Sequence, residues 1–442
     1  MRLLATEKAN RRLSEIYNLI VEDEDARVCR EISDEACRYV PFNFFAIIAA
    51  NSLSKLGDEL ANPKTVLAWL LNFVGAPVYL VGLLVPLRES GSLLPQLAIA
   101  AFVRRLAVRK WIWAAGSVIQ GGAIAGMGIV AWTLEGEVAG FLIVGLLLLF
   151  SLARGLCSVS YKDVLGKTIP KTRRGRLNGL SGTVSGALAL FVGLFFLMRD
   201  PGSADPAFFG ALIVAAGLLW VAGAAVFAGV QEFEGETDGG GNALFEAVQR
   251  LKLLRDDPPF ARFVTVRALM LGSALSAPYY VVMATGAENA QAATLGLFII
   301  ANGLASTLSA PFWGRLADAS SKRVMVAAAL MAAGLGIGVF LLAQLMPLLA
   351  QSALLFAVLY FFLGIAHSGA RLGRKTYVVD LAGGNRRTDY VAVSNTLIGV
   401  ILLFSGAIGA LAGALSPAAA ILMFSLLGLA GAILGMGLPE AR

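Results

Sequence analysis

Long apolar stretches recur along almost the whole sequence, and they limit the folds that the chain can adopt. Twelve such stretches can be marked, each with the twenty or so residues that a helix needs to cross a bilayer. Alternating segments of about ten residues, typical of membrane strands, are absent. Hydrophobic residues make up 57% of the chain and charged residues 15%, which leaves too little polar surface for a soluble domain. The sequence therefore predicts an all-α polytopic membrane protein.

The predicted spans form two groups of six. In chain order they cover residues 42–72, 77–103, 111–133, 138–161, 175–198, 207–230, 260–285, 290–314, 323–345, 352–375, 388–414 and 417–438. A polar segment with the amphipathic pattern Leu244, Val248 and Leu251 separates the groups. We therefore predict four regions: a cytoplasmic N-terminal extension (1–40), an N-terminal six-helix bundle (41–230), a cytoplasmic central loop with an amphipathic helix (231–258) and a C-terminal six-helix bundle (259–442).

Basic residues are concentrated in every second loop. The loops after spans 2, 4, 8 and 10 hold nearly all of the loop lysines and arginines, whereas the opposite loops hold essentially Arg199 alone. Because basic residues are retained on the cytoplasmic side of a membrane, both termini are predicted to be cytoplasmic. This topology accounts for the net charge of +7, and no nucleic-acid partner is predicted.

A sequence pattern in span 1 recurs in span 7. Leu56-Gly57-x-x-Leu60-x-x-Pro63 is followed 215 residues later by Leu271-Gly272-x-x-Leu275-x-x-Pro278, and a second set of matches links spans 4 and 5 to spans 10 and 11 at an offset of 213. Since many transporters are built from repeated halves, the two groups are predicted to be structural repeats. The charged stretch Ser52–Lys64 then lies inside the first helix, with Pro63 as a bend.

The loop after span 8 carries a known type of motif. Gly314-Arg-Leu-Ala-Asp318-Ala-Ser-Ser-Lys322-Arg323 resembles the G-x-x-x-D-x-x-G-[RK]-[RK] signature of the major facilitator superfamily. The equivalent loop after span 2 departs from it, with Ala101 and Arg105 in place of Gly and Asp. The resemblance implies two pseudo-symmetric six-helix bundles with both termini cytoplasmic. It also implies a cytoplasmic gate formed by Gly314, Asp318, Lys322 and Arg323, in which the glycine permits close helix packing and Asp318, near a helix end, pairs with basic residues.

Ionisable residues inside the spans are unevenly distributed. Each one costs roughly 2.5–3.5 kcal/mol or more on insertion scales, so it should face a bundle interior or a cavity. Spans 1, 2, 4, 7 and 10 contain them, whereas the interiors of spans 3, 6, 9 and 12 have none. The resemblance implies the same division, with helices 1, 4, 7 and 10 lining a central cavity and helices 3, 6, 9 and 12 facing lipid. The candidates for substrate binding or proton coupling are Lys55, Asp58, Glu59, Arg88, Glu89, Arg154, Arg267 and His367.

These groups have alternative interpretations. In the functional interpretation, Asp58 or Glu59 exchanges a proton, and Lys55 or Arg88 tunes the pKa of that acid. The sequence pattern of span 1 does not indicate which of the two acids faces inward. In the structural one, Arg88 and Glu89 form a network that locks span 2 to span 1. For Arg154 and Arg267, the alternative is a helix-end arginine that extends toward the cytoplasm. For His367, a proton relay and a packing role remain open.

The sequence contains no nucleotide-binding loop, nucleophile motif or metal-ligand spacing, so no enzyme activity, cofactor or metal is predicted. It predicts a monomeric secondary active transporter of the bacterial inner membrane, which moves a small solute by alternating access and is coupled to protons. The excess of basic over acidic candidates favours an anionic or zwitterionic substrate. The alternative is a transporter-like assembly factor or lipid-handling protein that docks partners through its N-terminal extension and central helix.

Overall fold

A computed structural model describes residues 15, 17, 32, 34–198, 206–235, 237, 251–284, 292–381 and 387–440. Within these residues the chain is helical and contains no strand. Most of the predicted N-terminal extension lies outside the described residues, as do Leu244 and Val248 of the amphipathic pattern in the central loop.

Helices occupy all twelve predicted ranges, and we number them after the spans, with letters where a span consists of separate pieces. The N-half contains α1a (Val40–Leu60), α1b (Val66–Phe73), α2a (Val81–Leu93), α2b (Gln96–Val103), α3 (Lys110–Thr133), α4 (Gly136–Thr168), α5 (Lys171–Leu197) and α6 (Pro206–Ala228). The C-half contains α7a (Pro258–Leu269), α7b (Gly272–Leu275), α7c (Ala277–Ala284), α8 (Ala292–Ala319), α9 (Ser321–Leu345), α10 (Ala353–Leu381), α11 (Arg387–Leu415) and α12 (Pro417–Met436).

The helices have the length and surface of membrane-crossing segments. Within the described residues, nine helical stretches are long and apolar enough to cross a bilayer by themselves. The other three predicted spans are spans 1 and 2, which are broken, and α5, whose apolar part is the shorter Thr183–Phe195. Large apolar side chains such as Phe141, Phe191 and Leu308 are exposed on the outside of the bundle, as a lipid-facing surface requires. The chain is a multi-pass membrane protein.

The first span is broken near its predicted bend. α1a ends at Leu60, and Pro63 lies in the connection to α1b, where it lacks an amide hydrogen and disfavours a helical conformation at the preceding residue. The side-chain oxygen of Asn62 accepts a hydrogen bond of 2.9 Å from the Lys64 amide, which helps to satisfy the interrupted backbone. The prediction of a continuous helix interior is therefore wrong for residues 61–65, and Lys64 lies in the break.

The repeated sequence pattern occupies equivalent places in the two halves. A Cβ on Gly57 of α1a would lie 2.8 Å from the Trp220 side chain of α6. A Cβ on Gly272, the first residue of α7b, would collide with the carbonyl oxygen of Phe424 on α12. In each half, glycine thus lets the broken helix approach the last helix closely. The glycine of the repeated pattern therefore makes the same kind of helix contact in both halves, as the sequence offset predicts.

The halves contact each other from the middle of the bundle to one of its ends. We call the end at which α1a begins the N-side and the opposite end the far side. α2a packs along α11, where Ser90 Oγ donates a hydrogen bond of 2.8 Å to the Gly399 carbonyl oxygen. Toward the far side, Gly82 lies against Ala410. α5 also packs against α8, and α1b against α7c. These contacts join the halves on the far side.

Candidate functional site

Asp58 ties three helices of the N-half together. Its two carboxylate oxygens lie 2.5 Å from Arg88 Nη2 on α2a and 2.8 Å from Arg154 Nη1 on α4. The Arg88 guanidinium also lies 4.6 Å from the centre of the Phe150 ring on α4, a cation–π contact. We call Asp58, Arg88 and Arg154 the N-half clasp. Its ion pairs cross-link α1a, α2a and α4.

Two alternatives predicted from the sequence are wrong: an Arg88–Glu89 pair, and a helix-end position for Arg154. Arg88 pairs with Asp58 and not with Glu89, although the expected link between spans 1 and 2 is present. Arg154 lies well inside α4, which continues to Thr168, so it is not a helix-end arginine. The reason is geometric: Asp58 faces into the N-half, within reach of both guanidinium groups, and Glu89 is an exposed side chain.

Glu59 faces the opposite half. Its Oε1 accepts a hydrogen bond of 2.9 Å from Asn302 Nδ2 on α8, and its Oε2 accepts a weaker one of 3.4 Å from Asn62. Among the described residues, both partners of this carboxyl are neutral amides. Because neighbouring helix residues point about 100° apart, Asp58 contacts its own half and Glu59 contacts the C-half. Asn302 gives little signal in the sequence beyond being an amide in the middle of an apolar span.

A second polar contact between the halves involves the break in span 1. Lys64 Nζ lies 2.9 Å from His367 Nε2 on α10, and His367 Nδ1 lies 3.3 Å from Ser273 Oγ on α7b. An ammonium group can only donate hydrogen bonds, so Nε2 is the acceptor and the ring proton belongs on Nδ1. His367 therefore bridges the break in span 1 to the break in span 7.

Arg267 is held by neutral groups of α11. Its Nη1 donates to Ser394 Oγ at 2.6 Å and its Nη2 donates to Asn395 Oδ1 at 2.9 Å. The residue lies in the last turn of α7a, just before the break in span 7. A role as a helix-end arginine that merely extends to the surface is therefore wrong, since the guanidinium contacts the neighbouring helix.

A small cavity lies between α7 and α10 in the C-half. Its polar lining consists of Arg267, Ser273, His367, Arg371 and Arg374. The Nε atoms of Arg267 and Arg374 are buried and have no hydrogen-bond partner. In the sequence, Arg371 and Arg374 look like ordinary basic residues at a cytoplasmic helix end, and only their position on one helix face with His367 signals a shared site.

The space between the halves opens toward the N-side. Lys55 lies one turn before Glu59 on α1a and is exposed, and the side chains of Glu89, Arg371 and Lys375 are exposed as well. Such charges inside membrane-crossing helices require water or a polar ligand. Together with the contacts that join the halves on the far side, these exposed charges indicate that the described part of the bundle is closed on the far side and accessible from the N-side.

The basic residues of the predicted gate motif lie near the chain that follows the last helix. Lys322 Nζ lies 3.2 Å from Glu440 Oε1, after the last helix, and donates to the Leu438 carbonyl oxygen at 2.9 Å. Arg323 is exposed, 4.0 Å from the same carboxylate. A Cβ on Gly314 would meet no atom within 4 Å, so the expected close packing at this glycine is wrong. The Asp318 side chain lies outside the described part of the structure.

Comparison with known proteins identifies the fold. No family model matches the chain, and no curated protein sequence matches it. Several solved structures match the chain. The inward open conformation of the xylose transporter XylE from E. coli has a TM-score of 0.64 at 13% identity, covering 90% of this chain and 96% of that chain. The nucleoside transporter NupG has a TM-score of 0.63 at 12% identity, covering 90% and 98%.

A POT family transporter in complex with 5-aminolevulinic acid is also similar, with a TM-score of 0.68 at 11% identity over 88% of this chain and 94% of that chain. Identities this low carry no information on substrate, and the similarity is one of architecture. The chain has the fold of the major facilitator superfamily transporters.

Proposed function

We propose that this protein is a secondary active transporter that moves a small solute by alternating access of the N-half and the C-half, coupled to protons. The observation that carries the proposal is the polar seam between the halves: Glu59 with Asn302 and Lys64 with His367. Hydrogen bonds across a moving interface can break and re-form as the halves rock. The named structures that share the fold are transporters.

The positive-inside distribution of the loops supports an N-side that faces the cytoplasm. The conformation described above is then the inward-facing one, in a bacterial inner membrane with both termini cytoplasmic. The proposed domains are the bundles 41–230 and 259–442, joined by the cytoplasmic loop 231–258 and preceded by the extension 1–40. The protein is proposed to act as a monomer.

Glu59 is the proposed proton-coupling residue, and Asp58 has a structural role. Protonation of Asp58 would break two ion pairs at 2.5 and 2.8 Å. Protonation of Glu59 would only rearrange its hydrogen bonds to two amides, since an amide side chain both donates and accepts. Because Asn302 belongs to α8, that rearrangement acts directly on the contact between the halves.

A change of accessible side tests alternating access. A Cβ on Gly82 would lie 2.6 Å from the Ala410 backbone nitrogen, so Gly82→Leu should push the halves apart on the far side. In a variant without native cysteines, Lys55→Cys would be labelled with a membrane-impermeant maleimide in oriented vesicles. We expect labelling from the N-side in the parent protein, and a large shift to far-side labelling when Gly82→Leu is added.

The matched control is Gly122→Leu, because a Cβ there meets no atom within 4 Å. This variant should label like the parent. If Gly82→Leu folds and is also labelled from the N-side alone, alternating access is wrong, and the static assembly or lipid-handling role becomes the better explanation.

A further inference from the structure

We infer that the cavity between α7 and α10 binds an oxyanion group, so that the transported solute is a small organic anion with a carboxylate or phosphate. The inference rests on the proposed transport function and names its substrate class. The site comprises Arg267, Arg371 and Arg374, and we call it the C-half arginine site. Its cavity is small, so it would take one anionic group, with the remainder of the solute in the space between the halves.

The three arginines lack acidic partners. Among the described residues, no carboxylate lies within ion-pair distance of Arg267, Arg371 or Arg374, whereas Arg88 and Arg154 share Asp58. Arg267 is bound to a hydroxyl and an amide oxygen, which fix its orientation and leave its charge uncompensated. The positive charge in this cavity is therefore available to a ligand.

Unused hydrogen-bond donors point to the same conclusion. The Nε–H groups of Arg267 and Arg374 are buried without an acceptor, and an unmade hydrogen bond of a buried charged group is costly. The Nε–H of Arg88 in the N-half clasp is also without an acceptor, but the charge of Arg88 is already compensated by Asp58. The planar guanidinium matches the spacing of two oxygens on a carboxylate or phosphate. One oxyanion between these arginines would supply the missing acceptors. Ser273 adds a hydroxyl to the same lining.

The wider charge balance also favours an anion. Lys64, Arg267, Arg371 and Arg374 bring four positive charges to the region, and Lys375 is close enough to interact with the arginines. The acids that act on this cluster are Glu59, hydrogen-bonded to Asn302, and Glu89, which interacts with Lys64, Arg267 and Arg374 at longer range than an ion pair. The cations outnumber the acids, so the field at the cavity attracts anions.

Thermal unfolding of the purified full-length protein tests the inference. The probes are inorganic phosphate, glycerol 3-phosphate and succinate, with glucose as a neutral solute and sodium chloride at matched ionic strength. We expect at least one oxyanion to raise the Tm saturably, and glucose and chloride to leave it unchanged. Arg267→Gln, Arg371→Gln and Arg374→Gln should each weaken the apparent affinity at least tenfold. Arg262→Gln, an exposed arginine on α7a, should leave it unchanged.

Two results would overturn the inference: no oxyanion in the panel stabilises the protein, or stabilisation persists in all three arginine variants. Arg371 is exposed, so Arg371→Gln should fold even if Arg267→Gln and Arg374→Gln do not. Arg374→Lys keeps the positive charge but loses the planar guanidinium that can donate two parallel hydrogen bonds. This variant should bind the oxyanion more weakly than the parent protein does. If the anion tests fail but Gly82→Leu still changes the side from which Lys55→Cys is labelled, only the proposed substrate class is wrong. If Gly82→Leu does not change the labelled side, the proposed transport function itself is wrong.

Discussion

The two halves place different residues at equivalent positions of the repeat. At the offset that relates span 1 to span 7, Asp58 corresponds to Ser273; at the offset that relates span 4 to span 10, Arg154 corresponds to His367. The pairs correspond in space too: Asp58 and Arg154 form an ion pair of 2.8 Å, and Ser273 and His367 lie 3.3 Å apart. One repeat thus carries a charged contact where the other carries a neutral one.

This difference separates structural charge from charge available to a ligand. In the N-half, the carboxylate stays in the protein and compensates its arginines. In the C-half, the equivalent carboxylate is replaced by a serine, and arginines with no acidic partner among the described residues surround the vacated position. We infer that the anion missing from the C-half is supplied by the solute.

The largest expected effect comes from breaking the N-half clasp. Asp58→Asn leaves Arg88 and Arg154 in place without their carboxylate. Removing one partner of a fully buried ion pair typically costs about 3–5 kcal/mol, and the cost here should lie below that range because the side chains of Asp58 and Arg154 are 26% and 36% exposed. The free energy of unfolding, measured by denaturant titration in detergent, should fall accordingly. Glu59→Gln is the matched control, since Glu59 pairs only with amides. An equal loss in both variants would contradict the structural assignment of Asp58.

Restoring a carboxylate to the C-half should make it resemble the N-half. In Ser273→Asp, the new carboxylate lies in the lining of the C-half arginine site and competes with a bound oxyanion. We expect the anion-dependent rise in Tm to weaken by at least tenfold in apparent affinity. Ser273→Asn, of similar size but neutral, should bind anions more tightly than Ser273→Asp. Equal binding by the two variants would show that the arginines are not the anion site.

A smaller effect on stability, with a clear functional readout, is expected at Glu59. Because Glu59→Gln keeps an acceptor for Asn302, the free energy of unfolding should change by only about 1 kcal/mol or less. The side from which Lys55→Cys is labelled should depend on pH in the parent protein and lose that dependence in Glu59→Gln. Glu135→Gln, at an exposed position, is the control. Retention of the pH dependence in Glu59→Gln would assign proton coupling to another group.

The smallest expected effect is at the N-side end of the C-half. The Ser320 hydroxyl donates to the Glu440 carboxylate, and this bond, together with Lys322, holds the pKa of Glu440 below its usual value of 4.5. The contact therefore stabilises the protein above about pH 4.5 and is lost as the pH falls further. Glu440→Gln should lower the Tm slightly at pH 7, as exposed ion pairs contribute little. The difference from the parent should disappear in acid; a difference that grows in acid would contradict this.

Much of the architecture follows from the sequence. The apolar stretches predict the helix ranges, since a membrane admits few other structures, and the repeated Leu-Gly pattern predicts the symmetry that brings Gly57 and Gly272 against α6 and α12. The extent of the break at Pro63 does not follow, because proline permits either a kink or a full interruption. Packing decides between them.

The site could be predicted in composition and not in pairing. Sequence position predicts that Asp58, Arg88, Arg154, Arg267 and His367 face the interior of the bundle, and in the structure each of them contacts a neighbouring helix or the break in span 1. Which arginine meets which acid depends on helix rotation and rotamers, which a single sequence does not specify. For the same reason, Arg374 resembles a surface residue in the sequence, although its Nε is buried.

The most direct test compares the same substitution in the two halves. Arg154→Gln and Arg374→Gln each remove one guanidinium charge, and the Tm of both variants would be measured without ligand in the same detergent. Arg154→Gln should lower the Tm, because Asp58 loses one of its two ion pairs. Arg374→Gln should leave the Tm unchanged or raise it, because like-charge repulsion with the neighbouring arginines is relieved. An equal or larger loss in Arg374→Gln would contradict the view that charges in the N-half stabilise the fold and those in the C-half bind the solute.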